Sequence, residues 1–141
     1  MKWFKEKEFA CKCCGQLPPQ ARENIKALVA VILDPLRERY GLPIKVSSGY
    51  RCEINNVRCG GAKNSQHMCQ EGSAAADISC GNNEELVRMI KEQGKFDQLI
   101  IYPTFIHVSY KRYGVNRHQV LKSLGNKRYT TASKSSTVQG V

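Results

Sequence analysis

Phe105-Ile106-His107-Val108-Ser109-Tyr110 is the run on which the fold turns. Side chains alternate across an extended strand, so Ile106 and Val108 share one face while His107 and Ser109 share the other. Just upstream, Gln98-Leu99-Ile100-Ile101-Tyr102 is equally β-rich, and Pro103-Thr104 between the two runs makes them a hairpin. A third run, Ala74-Ala75-Ala76-Asp77-Ile78-Ser79, sets Ala76 and Ile78 on one face and Asp77 and Ser79 on the other. An acid inside so apolar a strand needs a metal or a hydrogen-bond donor to offset its burial. Register decides what joins His107: a two-residue turn places Ile100 opposite it and Gln98 on its face, whereas a three-residue loop or a bulge brings Asp97 round.

Outward from these strands the pattern changes period. Between Pro18-Pro19 and Gly41-Leu42-Pro43, Ile25, Leu28, Val29, Ile32, Leu33 and Leu36 recur at three- and four-residue steps, which predicts an amphipathic helix kinked near Pro35. Ile44 to Ser48 reads as a short strand closed by Gly49. Arg51 to Ser73 is rich in Gly, Asn, Ser and Gln and reads as loop or irregular helix, a long interval of the kind that carries function. A helix capped by Asn83 and ended by Gly94 follows, with Leu86, Val87 and Ile90 on its apolar side. Beyond Gly125 the Ser/Thr/Lys-rich sequence carries too few apolar residues to fold, so the expected organisation is one domain over 1–125 and a disordered tail over 126–141.

The 141 residues, 41% of them hydrophobic, suffice for one core and fall short of two ordinary domains. No apolar run approaches the roughly 20 residues of a membrane span. Met1 to Glu8 alternates aromatics with charges where a signal peptide would be apolar, so a cytoplasmic product that acts after release or delivery is expected. The net charge of +10, from 22 basic and 12 acidic residues, favours polyanionic partners without choosing among them. Seven cysteines cannot all pair within the chain. Cys11 and Cys14 form a C-x-x-C around Cys13, but Cys52, Cys59, Cys69 and Cys80 supply no second such pair, so buried thiols or a local disulfide are expected in place of a second metal site.

Only three histidines are present: His67 in the long loop, His107 on its strand, and His118 beside Arg117. The order and spacing of Ser47-Ser48-Gly49-Tyr50-Arg51, Gly60-Gly61-Ala62, Ser65-Gln66-His67, Ala75-Ala76-Asp77-Ile78, Phe96-Asp97-Gln98-Leu99-Ile100 and Ile106-His107-Val108-Ser109-Tyr110 carry a resemblance over about Phe4 to Leu121. Together these blocks resemble the zinc D-Ala-D-Ala carboxypeptidases, the first subfamily of the M15 peptidases, in their phage-endolysin-like branch. The resemblance implies an α+β fold shared with hedgehog signalling domains, with helices on one face of an antiparallel sheet and the metal on the other. It implies one zinc ion per chain held by His67, Asp77 and His107, and hydrolysis of a peptide bond in peptidoglycan by a metal-activated water whose pKa falls to about 7. Arg51, Ser65 and Gln98 then fall where substrate binds, Arg51 as the receiver of a carboxylate. The expected partners are peptidoglycan stem peptides, without specific nucleic acid or membrane insertion, and the chain is expected to act as a monomer.

Two departures from the family pattern stand out. Asp77 lies ten positions after His67, where relatives place it seven after, with Cys69-Gln70-Glu71 as extra loop. The position three before His107, which carries the catalytic acid in many relatives, is Thr104, and Asp97 is the remaining candidate base, with Glu71 behind it. A zinc-fold wall-binding module with weak catalysis is the alternative this loss favours. A basic nucleic-acid binder with a cysteine-zinc knob at Cys11 to Cys14 is the other, and it leaves His67, Asp77 and His107 unexplained.

Overall fold

The computed structural model describes residues 1–132. Six strands, β1 (Lys45–Ser48), β2 (Ser73–Ser79), β3 (Gln98–Ile101), β4 (Ile106–Lys111), β5 (Gln119–Gly125) and β6 (Arg128–Thr131), form one sheet in the order β1-β2-β4-β3-β5-β6. Neighbours run antiparallel except β3 and β5, which are parallel. The fold is α+β, as the resemblance implies.

Parity separates the two faces. Ala74, Ala76 and Ile78 of β2, Leu99 of β3, and Ile106 and Val108 of β4 enter the main core, where they meet Ile25, Leu28, Val29, Ile32, Leu36, Leu86 and Ile90 from the helices. Each such fully buried Leu or Ile stabilises the fold by roughly 1.5–3 kcal/mol. Asp77 pairs with His107 across β2 and β4, and Ile100 pairs with His107 across β3 and β4. The β3–β4 connection closes with the Tyr102 N–H donating to the Phe105 carbonyl at 3.0 Å. Pro103-Thr104 is thus a two-residue corner, the register that puts Gln98 on the His107 face.

Helix α1 (Pro19–Leu28) and α2 (Asp34–Tyr40) are joined without a break by a wide π turn at Val29–Leu33. Pro35 has no N–H to offer the carbonyl one turn back, and the widened turn, in which the Asp34 N–H reaches the Val29 carbonyl, takes up that defect. Gly41, at φ 83°, ends α2 in the left-handed conformation. The later helix, α4 (Asn83–Gln93), starts one residue off the expected position: Asn82 is the cap, accepting from the Glu85 N–H, while Asn83 ties Cys80 to Thr104.

The 51–73 segment holds helix α3 (Glu53–Arg58) and a 3-10 turn at Gln66–Met68, in keeping with the loop or irregular helix its composition predicts. One expectation is corrected. The supposed tail does not begin at 126, because β6 pairs with β5 and the Ala132 N–H donates to the Val120 carbonyl at 2.9 Å. Backbone pairing to an already ordered strand offsets the lack of apolar side chains there. The rest of the expected tail, 133–141, lies outside the described residues. Among the described residues no helix is long and apolar enough to cross a membrane.

Candidate metal centre

Three elements deliver His67, Asp77 and His107 to one point. Asp77 and His107 face each other on β2 and β4, on the side of the sheet away from the main core. His67 is brought there by the Gln66–Met68 turn, whose leading Ser65 accepts the His67 N–H at 3.2 Å. The extra residues noted in the sequence are absorbed after the histidine: Cys69, Glu71 and Gly72 all take left-handed φ, at 54°, 52° and 78°, and coil the chain back into β2. An insertion there lengthens the return without moving a ligand. Glu71 is exposed and stands apart from the cluster.

The contacting atoms are His67 Nε2, Asp77 Oδ1 and His107 Nδ1, separated by 3.1, 3.2 and 3.3 Å. That spacing matches the ~3.3 Å edge of a tetrahedron whose ligands lie about 2.0–2.1 Å from zinc. The proton positions point the same way. His67 Nδ1 sits 2.7 Å from the Gly49 carbonyl oxygen, which can only accept, so Nδ1 carries a proton and Nε2 is the ring nitrogen turned toward Asp77. His107 is buried, and burial moves its pKa down against the opposing pull of Asp77, which keeps the ring neutral; its Nε2 has no hydrogen-bond partner. Burial would push the Asp77 carboxyl up, but hydrogen bonding with His107 and His67 outweighs it and holds the group far below the usual carboxylate range. Two imidazole nitrogens and a carboxylate oxygen converging on one point are a donor set that fits a divalent zinc ion.

Arg51 braces this centre. Its Nη2 donates to Asp77 Oδ2 at 3.1 Å and its Nε to Ser48 Oγ at 3.2 Å, so the second carboxylate oxygen is fixed while the first faces the histidines. Arg51, Ser65 and Gln98 all line the same cleft of about 830 Å³, with His67, Asp77 and His107 on its floor.

Asp97 does not join them. The observed register leaves it outside the cleft lining, fully buried, and both its oxygens are occupied. Arg117 donates from its backbone N–H (2.8 Å), Nε (3.1 Å) and Nη2 (2.7 Å), and Gln66 Nε2 donates at 2.9 Å. Burial raises the carboxyl and Arg117 more than reverses it, so its pKa lies below the ordinary value. A carboxylate so engaged has no free lone pair aimed at a water in the cleft, and the expectation of Asp97 as base is corrected to a residue that positions Gln66 and Arg117.

Sequence reasoning missed the far wall. Tyr102, Arg117, Lys127 and Tyr129 line the cleft, and the Tyr102 and Tyr129 hydroxyls lie 3.1 Å apart. Tyr102 shares the strand parity of Gln98 and Ile100, a signal that was available; Tyr129 arrives on β6, for which local sequence gave no cue.

A family model described as Peptidase M15 matches residues 2–109, which include all three converging residues, and the chain belongs to that family of metallopeptidases. No curated protein matches the chain.

Proposed function

We propose that the chain is a zinc-dependent peptidase that cuts a peptide bond in peptidoglycan stem peptides, as a D,D-carboxypeptidase or a phage-endolysin-like endopeptidase, on the zinc fold shared by hedgehog domains and D-Ala-D-Ala peptidases. The observation that carries the proposal is the convergence of His67 Nε2, Asp77 Oδ1 and His107 Nδ1 on the floor of an open cleft. Bound there, zinc supplies a Lewis acid that polarises the scissile carbonyl and makes water nucleophilic near neutral pH. The chain's own residues do the rest. Gly49 fixes the His67 tautomer and Arg51 fixes Asp77. Lys127, which lines the cleft and makes no ion pair among the described residues, suits the carboxylate of a stem peptide. Ser65 and Gln98 present polar groups along the substrate's path. The Tyr102 hydroxyl, kept protonated by burial and by Tyr129, serves as a donor to a developing oxyanion.

A second reading, a wall-binding module with weak catalysis, is favoured by one observation: among the described residues lining the cleft, Asp77 is the sole carboxylate. Digestion of purified peptidoglycan by zinc-loaded protein, with mass spectrometry of the muropeptides, separates the two. Loss of one terminal amino acid marks a carboxypeptidase, and scission into two peptides marks an endopeptidase. Unchanged masses, with protein that still sediments with the wall, would replace the peptidase with the binding module.

A further inference from the structure

Away from the cleft, the fold gathers four of the seven cysteines. Cys11, Cys13 and Cys14 sit in a tight turn closed by the Cys11 N–H to the Gln16 carbonyl (2.9 Å) and the Gly15 N–H to the Cys11 carbonyl (2.7 Å), with Gly15 at φ 71°. Cys52 arrives from a distant part of the sequence, at the start of α3. Its sulfur lies 3.4 Å from Cys13 Sγ, which is 3.6 Å from Cys11 Sγ, and all four sulfurs lie within 4.8 Å of one another. All seven cysteines are free thiols. The expected pattern, a second C-x-x-C in sequence, is not what completes the group; tertiary structure supplies the fourth sulfur.

We propose that Cys11, Cys13, Cys14 and Cys52 bind a second zinc ion, a structural one held by four thiolates, which clamps the N-terminal turn onto the segment that builds the active cleft. Four sulfurs bound tetrahedrally at about 2.3 Å from zinc stand about 3.8 Å apart, close to the spacings found here. Backbone amides already point at the sulfurs: the Cys52 N–H donates to Cys11 Sγ at 3.5 Å and the Asn55 N–H to Cys52 Sγ at 3.4 Å. Such bonds stabilise the thiolate over the thiol. Four thiolates at these spacings repel one another, and a cation among the sulfurs removes that repulsion. On binding, each thiol that still carries a proton gives it to solvent, and four Zn–S bonds form without any change of oxidation state.

The location gives the ion a purpose. The Tyr50 N–H donates to the Phe9 carbonyl at 2.8 Å, and a Cβ on Gly49 would meet Phe9 Cα at 2.6 Å, so the N-terminal segment lies hard against residues 49–52. Those few residues carry the Gly49 carbonyl that orients His67, the Arg51 guanidinium that holds Asp77, and Cys52 itself. Fixing Cys52 to the Cys11–Cys14 turn therefore fixes the braces of the metal centre.

The test is metal analysis of the full chain purified under reductant, together with the absorption spectrum of its cobalt-substituted form. Wild-type protein is expected to hold two zinc ions, His107→Ala one, and the Cys13→Ser/Cys52→Ser variant one. Cobalt protein from wild type and from His107→Ala should show the near-ultraviolet thiolate-to-cobalt charge-transfer band, and the double-cysteine variant should lack it. The wild-type and His107→Ala spectra decide the matter even if the double variant fails to fold. Absence of the band from both, equal zinc content in wild type and the folded double variant, or a Cys13–Cys52 disulfide persisting in reductant-treated, zinc-replete protein would overturn the proposal. Because His107→Ala spares the thiol group, failure of the cleft assignment and failure of this one are read separately.

Discussion

The carbonyl oxygen of Gly49 and Nδ1 of His67 lie 2.7 Å apart, and this one bond determines which ring nitrogen of His67 turns toward Asp77. A backbone carbonyl on a strand end is a rigid acceptor, so the orientation is set before any metal arrives. Gly49 can occupy that place only because it has no side chain, with Phe9 packed directly over its Cα.

Gly49→Ala is accordingly expected to lower the melting temperature and weaken zinc binding together. The added methyl must displace backbone, and overpacking of this kind costs about 1–3 kcal/mol or more. Thermal melts and a competitive zinc titration check it; an unchanged affinity in the variant would show that the Gly49–His67 bond does not govern the ligand.

Arg51→Lys keeps the charge but cannot reach Asp77 Oδ2 and Ser48 Oγ at once. Loss of such a brace commonly costs about 10–100-fold in metal affinity, and a fall in that range is expected. If zinc affinity holds and only KM rises, Arg51 serves the substrate alone.

Asp97→Asn should retain zinc and lose stability, since the buried carboxylate accepts three bonds from the half-exposed Arg117 and one from Gln66, and a hydrogen bond to a charged group is worth about 1.5–3 kcal/mol. Turnover per folded molecule should fall less than tenfold, against the hundredfold or more expected on removing a general base. The effect has a defined pH sense. The folded pKa of Asp97 lies below its unfolded value, so its stabilisation is complete above that unfolded value of about 3.9 and is lost as pH falls through the folded one. The gap in melting temperature between wild type and variant should therefore be full at pH 7 and shrink below about pH 4. A constant gap across that range would show that the stabilisation comes from something other than the ionised carboxylate.

A chain ending after Gly125 removes β6 and with it Tyr129 and Lys127 from the cleft wall. KM for a muropeptide should rise several-fold while zinc content is unchanged. Equal kinetics in the truncated chain would make the β5–β6 hairpin irrelevant to substrate.

What could be read in the sequence was what short-range periodicity encodes. The alternation of Ala76-Asp77-Ile78 and Ile106-His107-Val108 placed Asp77 and His107 on one face, and the structure pairs those two residues directly. Pro35 signalled a defect in the first helix, and the π turn lies where the signal falls. The rest depended on distant partners. β5 alternates weakly, with Lys122 in its middle, and gains its place by parallel pairing with β3. Cys52 meets Cys13 across 39 positions of sequence, where Phe9 packs on Gly49. Asp97 was a question of register, and its answer lay in the turn at Tyr102–Phe105 and in Arg117, a residue whose own strand neighbourhood local sequence did not reveal.

Whether His67, Asp77 and His107 hold the catalytic zinc is read from anomalous diffraction at the zinc edge, from crystals grown with zinc. An anomalous peak enclosed by His67 Nε2, Asp77 Oδ1 and His107 Nδ1 is expected. Well-ordered crystals in which those three atoms keep their mutual contacts and no anomalous density lies between them would contradict it.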